Sequence, residues 1–114
     1  MTYSVDIETL IHLIRERPCI WDKTSIEYRD RIKIATSWRE IFSALHDDFY
    51  LLRENEKMVF GNEVQKKWNN IRDSFRKYVV QVKHSSVPIT KKYVYYERLK
   101  FLNKIYDFDD LKTK

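Results

Sequence analysis

The sequence predicts a small all-α domain of three principal helices followed by a fourth at the C-terminal end. Apolar residues recur at three- and four-residue spacing through most of the 114 residues, the period of one face of a helix. One glycine and two prolines cannot supply the turns of a many-stranded β fold or the glycine-rich loop of a nucleotide cradle, both of which need the backbone freedom of glycine. A hydrophobic fraction of 43%, with 15% aromatic residues, is enough for one globular core at this length without disulfides.

The first helix is written over residues 5–17 by Ile7, Leu10, Ile11 and Ile14, with Asp6 placed to accept first-turn amides. Pro18 drives Arg17 out of helical geometry and ends it, and Ile20 and Trp21 serve as apolar anchors that fold the chain back. Residues 22–30 read as a polar connector. Ile34, Ala35, Trp38, Ile41, Phe42 and Leu45 write the second helix, which ends near His46, with Arg39, Glu40 and Ser43 facing away. Residues 47–60 sustain no period and read as a loop, with room for a short helix around 49–54. Gly61-Asn62 is a turn signal, and Asn62 is placed to cap a third helix over about 62–83. Along it Val64, Trp68, Ile71, Phe75, Val79 and Val82 fall within a stripe of about 80°. Residues 84–90, with two serines and Pro88, break the pattern. A fourth helix follows over 91–106, burying Tyr95, Leu99, Leu102 and Tyr106 with Phe101 beside them. The expected core is Ile11, Trp21, Trp38, Ile41, Trp68, Ile71, Phe75, Leu99 and Leu102, in a single domain over 1–106 with a frayed tail over 107–114.

Several functions are set aside on composition. Cys19 is the only cysteine, so no intramolecular disulfide forms and a reducing compartment is expected. Charged residues interrupt the first twenty positions, so there is no signal-peptide core, and no apolar run approaches the roughly 20 residues of a membrane span. His12, His46 and His84 have no second ligand-type residue at metal spacing, and Asp47-Asp48 and Asp109-Asp110 are adjacent pairs whose side chains diverge by about 100° on a helix. No metal, no cofactor and no catalysis are expected; Cys19 and the histidines read as core or surface.

The net charge of +5 becomes informative when resolved along the chain. Residues 1–63 carry nine basic and twelve acidic groups, whereas residues 64–100 carry ten basic and two acidic. The face of the third helix opposite Trp68 holds Lys66, Asn70, Asp73 and Lys77, flanked by Asn69, Arg76, Lys67 and Gln81. Lysine and arginine neutralise phosphates, while asparagine, glutamine and arginine carry the donor and acceptor forks that read base edges. Asp73 and Lys77 are spaced to pair with each other as on any solvated helix. Arg72, at the edge of the stripe, is expected to pair with a carboxylate of the acidic half. Lys91 and Lys92 open the fourth helix, where the macrodipole does not favour cations, and read as a phosphate clamp. The predicted DNA-contact set is Lys66, Lys67, Asn69, Asn70, Arg76, Lys77, Lys91 and Lys92. Trp38 and Trp68, each with isoleucine three residues on, repeat a mid-helix pattern suited to a bracing helix and a delivered one.

These segments carry a family pattern. RERPCIWD ending the first helix, Tyr28 before a helix containing SWREIFSAL, then VQKKWNNIRDSFRKYV and YVYYERLKFL together resemble the MADF domain, a Myb/SANT-related module of insect transcription factors and chromatin proteins. The resemblance spans about residues 6–105. Its most specific part is KKWNNIRDSFRKY, where Lys67, Trp68, Ile71, Arg72, Asp73, Phe75 and Arg76 fit the family pattern; Tyr96, Leu99, Phe101 and Leu102 fit its last helix. It implies a Myb/SANT-like three-helix core with an additional C-terminal helix, duplex DNA as partner and nuclear location. The chain departs from the pattern in Tyr93 where tryptophan is common and in a longer, acidic 47–60 connector that would repel DNA. It also lacks the companion BESS segment, which fits a domain cut from a larger protein. The same architecture serves SANT-type protein-interaction modules, and the acidic N-terminal half suits a basic protein partner. With no symmetric apolar seam left over, the isolated domain is expected to be monomeric.

Overall fold

The computed structural model describes residues 4–86 and 92–106, and every regular element among them is helical. Helix α1 (Ile7–Arg15) buries Leu10, Ile11 and Ile14, and Asp6 caps it by accepting the Thr9 amide at 3.2 Å. Pro18 both ends α1 and begins the one-turn helix α2 (Pro18–Trp21), since a proline at the first helical position gives up no hydrogen bond. Cys19 is buried there with its Sγ 3.2 Å from Ser37 Oγ. Trp21 donates its indole N–H to the Arg15 carbonyl at 3.3 Å and meets Phe101 edge-on at 4.8 Å. It is a half-buried clasp between the two ends of the chain.

The connector over 22–30 contains a 3-10 turn, Ile26–Arg29, and delivers Asp30 to cap α3 (Arg31–Leu45) through the Lys33 amide at 3.0 Å. Asp22 in that connector is buried and fully used. One carboxylate oxygen accepts the Thr24 amide at 3.0 Å and hydroxyl at 2.6 Å; the other accepts Lys104 Nζ at 2.8 Å, from 82 residues away. Desolvation pushes the Asp22 pKa up, but the hydrogen bonds from Lys104 and Thr24 outweigh it and hold the carboxyl below its ordinary value. A depressed folded-state pKa gives stability that is present above the unfolded value near 4 and is lost as pH falls through the folded value. Asp22→Asn should therefore lower stability by about 1 to 2 kcal/mol at neutral pH. In urea melts the gap to the wild type should close as pH falls below about 4; a gap independent of pH would show that the charge of Asp22 contributes nothing.

After a 3-10 turn, Phe49–Leu51, the chain enters α4 (Glu54–His84), 31 residues in one helix. At about 1.5 Å per residue it is about 46 Å long, nearly the 52 Å long dimension of the molecule. It starts eight residues before the expected cap at Asn62, so residues 54–60 are helix and not loop. Glu56 reaches back to accept the Arg53 amide at 3.0 Å, and Glu54 and Glu56 sit where the helix dipole favours negative charge. Gly61 makes no turn. It lies buried inside the helix, because a Cβ there would stand 3.0 Å from Phe42 Cε2. That ring is held by Trp38, Phe49 and Phe60 at centroid distances of 5.8, 5.8 and 6.2 Å and cannot step aside. A helical glycine gives up about 1 kcal/mol relative to alanine; here it lets α3 and α4 cross closely.

Phe60, Val64, Trp68, Ile71 and Phe75 bury one stripe of α4, but Val79 is only half-buried and Val82 is 44% exposed. The expected stripe thus outlasts the core, and the last turn of α4 stands free of it. At the C-terminal end the helix expected over 91–106 begins later, at α5 (Tyr96–Leu99), followed by a 3-10 turn, Lys100–Leu102, and helical backbone over 103–106. Tyr93 and Tyr95 precede α5; Tyr93 packs near Tyr78 at 6.4 Å and engages Ser74 of α4. Lys91, the 87–90 segment and the tail over 107–114 lie outside the described residues. Leu99, Leu102, Ile105 and Tyr106 close one core with α1, α3 and α4. Ile11, Ile41, Trp68, Ile71, Phe75, Leu99 and Leu102 are buried as expected, whereas Trp21 and Trp38 pack at its rim half-buried.

Candidate nucleic-acid interface

Burial of the Trp68 stripe fixes which side of α4 faces water. Lys66, Lys67, Asn69, Asn70, Arg76 and Lys77 are all exposed, and on a 100° wheel Lys66, Asn70, Asp73 and Lys77 lie within about 60° of one another, opposite Trp68. Of the expected contact residues of α4, Lys66, Asn70 and Lys77 share this line, with Asn69 and Arg76 about 60° and 80° from Lys66 on one side and Lys67 about 100° on the other. Arg72 turns out to serve that face. It does not reach the acidic half but binds its neighbour Asp73, through Nε at 3.2 Å and a terminal nitrogen at 3.1 Å. The one carboxylate on the line is thereby countered from its edge, and Lys77 does not pair with it. Among the described residues no ion pair holds Lys66, Lys67 or Lys77. Arg76 lies on the flank with its guanidinium over the Tyr106 ring at 6.0 Å, which orients it without neutralising it.

The early start of α4 adds residues that the sequence reading missed. Asn55, Val59 and Asn62 are exposed and continue the same line two turns toward the N-terminus. Asn62 was read as a cap and so was left off the face; the signal was present in its seven-residue spacing to Asn69, hidden by treating Gly61 as a break. Lys92 stands just before α5 rather than within a helix, 3.3 Å from Glu97 and 5.4 Å from the centre of the Tyr96 ring.

An all-helical core with one long helix that presents lysines on its exposed side is consistent with a Myb/SANT-like fold. Residues 10–102 match the family described as alcohol dehydrogenase transcription factor, Myb/SANT-like, and the chain belongs to that MADF family of DNA-binding domains. No curated protein and no solved structure matches the chain. No helix among the described residues is long and apolar enough to cross a membrane.

Proposed function

We propose that the chain is the DNA-binding domain of a nuclear transcriptional or chromatin regulator and lays the exposed side of α4, around 62–83, in the major groove of duplex DNA. The supporting observation is a face on which Lys66, Lys67 and Lys77 are held by no ion pair while Arg72 engages Asp73; half-buried Glu63 lies between Asn70 and Lys67 on the same arc. A face shaped only for solubility would pair its charges. Lys66, Lys67, Arg76, Lys77, Lys91 and Lys92 neutralise phosphates. Asn69 and Asn70, joined by Asn62, offer the paired donor and acceptor that match the adenine edge. Titration of a labelled duplex tests this: with about five or six phosphates engaged, log affinity should fall with log salt at a slope near −5. No binding at low salt, or a flat response, would sink the reading.

One observation favours a second reading, a protein-interaction module of SANT type. Tyr50, Leu51 and Met58 are 61%, 83% and 66% exposed beside Asp47, Asp48 and Glu54, where α3 meets the start of α4. Lys57 stands over the Tyr50 ring at 5.8 Å and 3.5 Å from Glu54, which leaves Asp47 and Asp48 as the acidic side of the patch; an exposed apolar patch suits a protein partner. On that reading Tyr50 and Met58, not Lys66 and Lys77, would control partner binding.

A further inference from the structure

Beneath the overhanging end of α4 lies a small basic cleft, lined by Tyr78, Val82 and Lys83 from the long helix and by Lys92, Tyr96 and Lys100 from the C-terminal segment. Glu97 sits at its mouth and takes both ammonium groups, Lys92 Nζ at 3.3 Å and Lys100 Nζ at 3.0 Å. The same two ammonium groups stand over one ring, that of Tyr96, at 5.4 and 5.9 Å from its centre. Tyr96 is itself fixed, tilted against buried Phe75 at 6.0 Å and edge-on to Tyr78 at 5.6 Å. Two flexible lysines thus bracket one anion above a rigid aromatic platform, Lys92 on one carboxylate oxygen and Lys100 on the other.

An exposed ion pair contributes little to stability, so folding gives weak reason for this arrangement. Two ammonium groups held one to each oxygen of a carboxylate also match the two non-bridging oxygens of a phosphodiester, which carries the same single charge as the carboxylate it would replace. Position supports the match. Tyr93, next to Lys92, engages Ser74, and Ser74 and Tyr78 lie about 80° and 120° around α4 from Lys66. That flank is where one backbone of a duplex seated on the Lys66 face would run.

We propose that Lys92 and Lys100, presented by Tyr96, form a second phosphate site for the DNA backbone, in which Glu97 holds the place of the phosphate until the duplex displaces it. The site rests on the DNA reading above and adds Lys100, Tyr96 and Glu97 to the interface. Glu97 is a competitor at neutral pH because Lys100 and Lys92 hold its carboxyl below the ordinary range, so it remains charged.

Glu97→Gln in the whole chain should bind a labelled duplex of about 20 base pairs roughly threefold more tightly at about 0.1 M salt, with a salt slope steeper by close to one. Glu40→Gln removes the same charge from a side chain of similar exposure paired with Arg17 and should change affinity much less. In a Lys92→Ala, Lys100→Ala background the gain from Glu97→Gln should vanish. A gain that persists there, or that Glu40→Gln reproduces, would overturn the site. Inorganic phosphate titrated into the Glu97→Gln protein, followed by NMR of the Tyr96 ring, separates this inference from the DNA reading. Duplex binding through α4 with no phosphate response at Tyr96 would overturn the second site alone. A saturable response at Tyr96 in a protein that binds no duplex would overturn DNA as the occupant.

Discussion

Trp68→Ala is expected to destabilise the domain by about 3 to 5 kcal/mol, because a 2% exposed indole in mid-α4 leaves a cavity that the surrounding helices cannot collapse into. Small domains have about 5 to 15 kcal/mol in total, so the variant should melt some 15 to 30 °C lower. Thermal unfolding followed by circular dichroism measures this. Val82→Ala is the informative companion. It lies on the same periodic stripe, yet at 44% exposure it should change stability by less than about 0.5 kcal/mol. Equal losses at the two positions would mean that the core extends under the end of α4; a Trp68→Ala protein as stable as the wild type would mean that the register of the helix is wrong.

Reversing charge at Lys66 and Lys77 together should weaken duplex binding on the order of 100-fold near 0.1 M salt and flatten the salt slope by about two. Both side chains are exposed and neither is held in an ion pair, so the fold should be unaffected and the melting temperature nearly unchanged. The same substitutions with glutamine should give an intermediate loss, since they remove attraction without adding repulsion. Full duplex affinity in the charge-reversed protein would exclude α4 as the DNA-contacting element. If the apolar patch at Tyr50 and Met58 is the working surface, its partner should bind the charge-reversed protein as well as it binds the wild type.

Helices with a clean apolar stripe were legible from the chain alone. α1 needed only Asp6 and the spacing of its isoleucines and leucine, and α3 the spacing from Ile34 to Leu45, signals that are local; the cap of α3 by Asp30 appears only in the structure. Errors arose where a distant residue decides. Gly61 reads as a turn until Phe42 is placed beneath it, and only then does the absence of a side chain become a packing requirement. Tyr93 and Tyr95 look helical by period, but Tyr93 packs on Tyr78 and Tyr95 edge-on to Tyr93, and α5 begins only at Tyr96. Val82 continues the stripe of α4 past the point where anything remains to cover it. Pro18 was read as an ending, whereas it also opens α2. The charged face of α4 followed directly from its buried side and needed no tertiary information. The partner of Arg72 did, since several carboxylates were within reach of the sequence argument and Asp73 is simply the nearest. Asn62 and Val59 join the exposed face only once Gly61 is placed inside the helix, so the same glycine hides both the start of α4 and two residues of that face.

The length of α4 also imposes a direction. A straight rod of about 46 Å cannot lie wholly within a curved groove about 12 Å wide, so only its middle turns can reach base edges while its ends project past the two backbones. Those ends are chemically unlike: Glu54 and Glu56 are balanced by Arg53 and Lys57 at one, while Lys83 and His84 lie at the other. A reader with a neutral tip and a basic tip has no two-fold symmetry of its own. On the DNA reading proposed above, a single copy should thus select an asymmetric site and point one way along it, which on a chromosome would let it distinguish upstream from downstream.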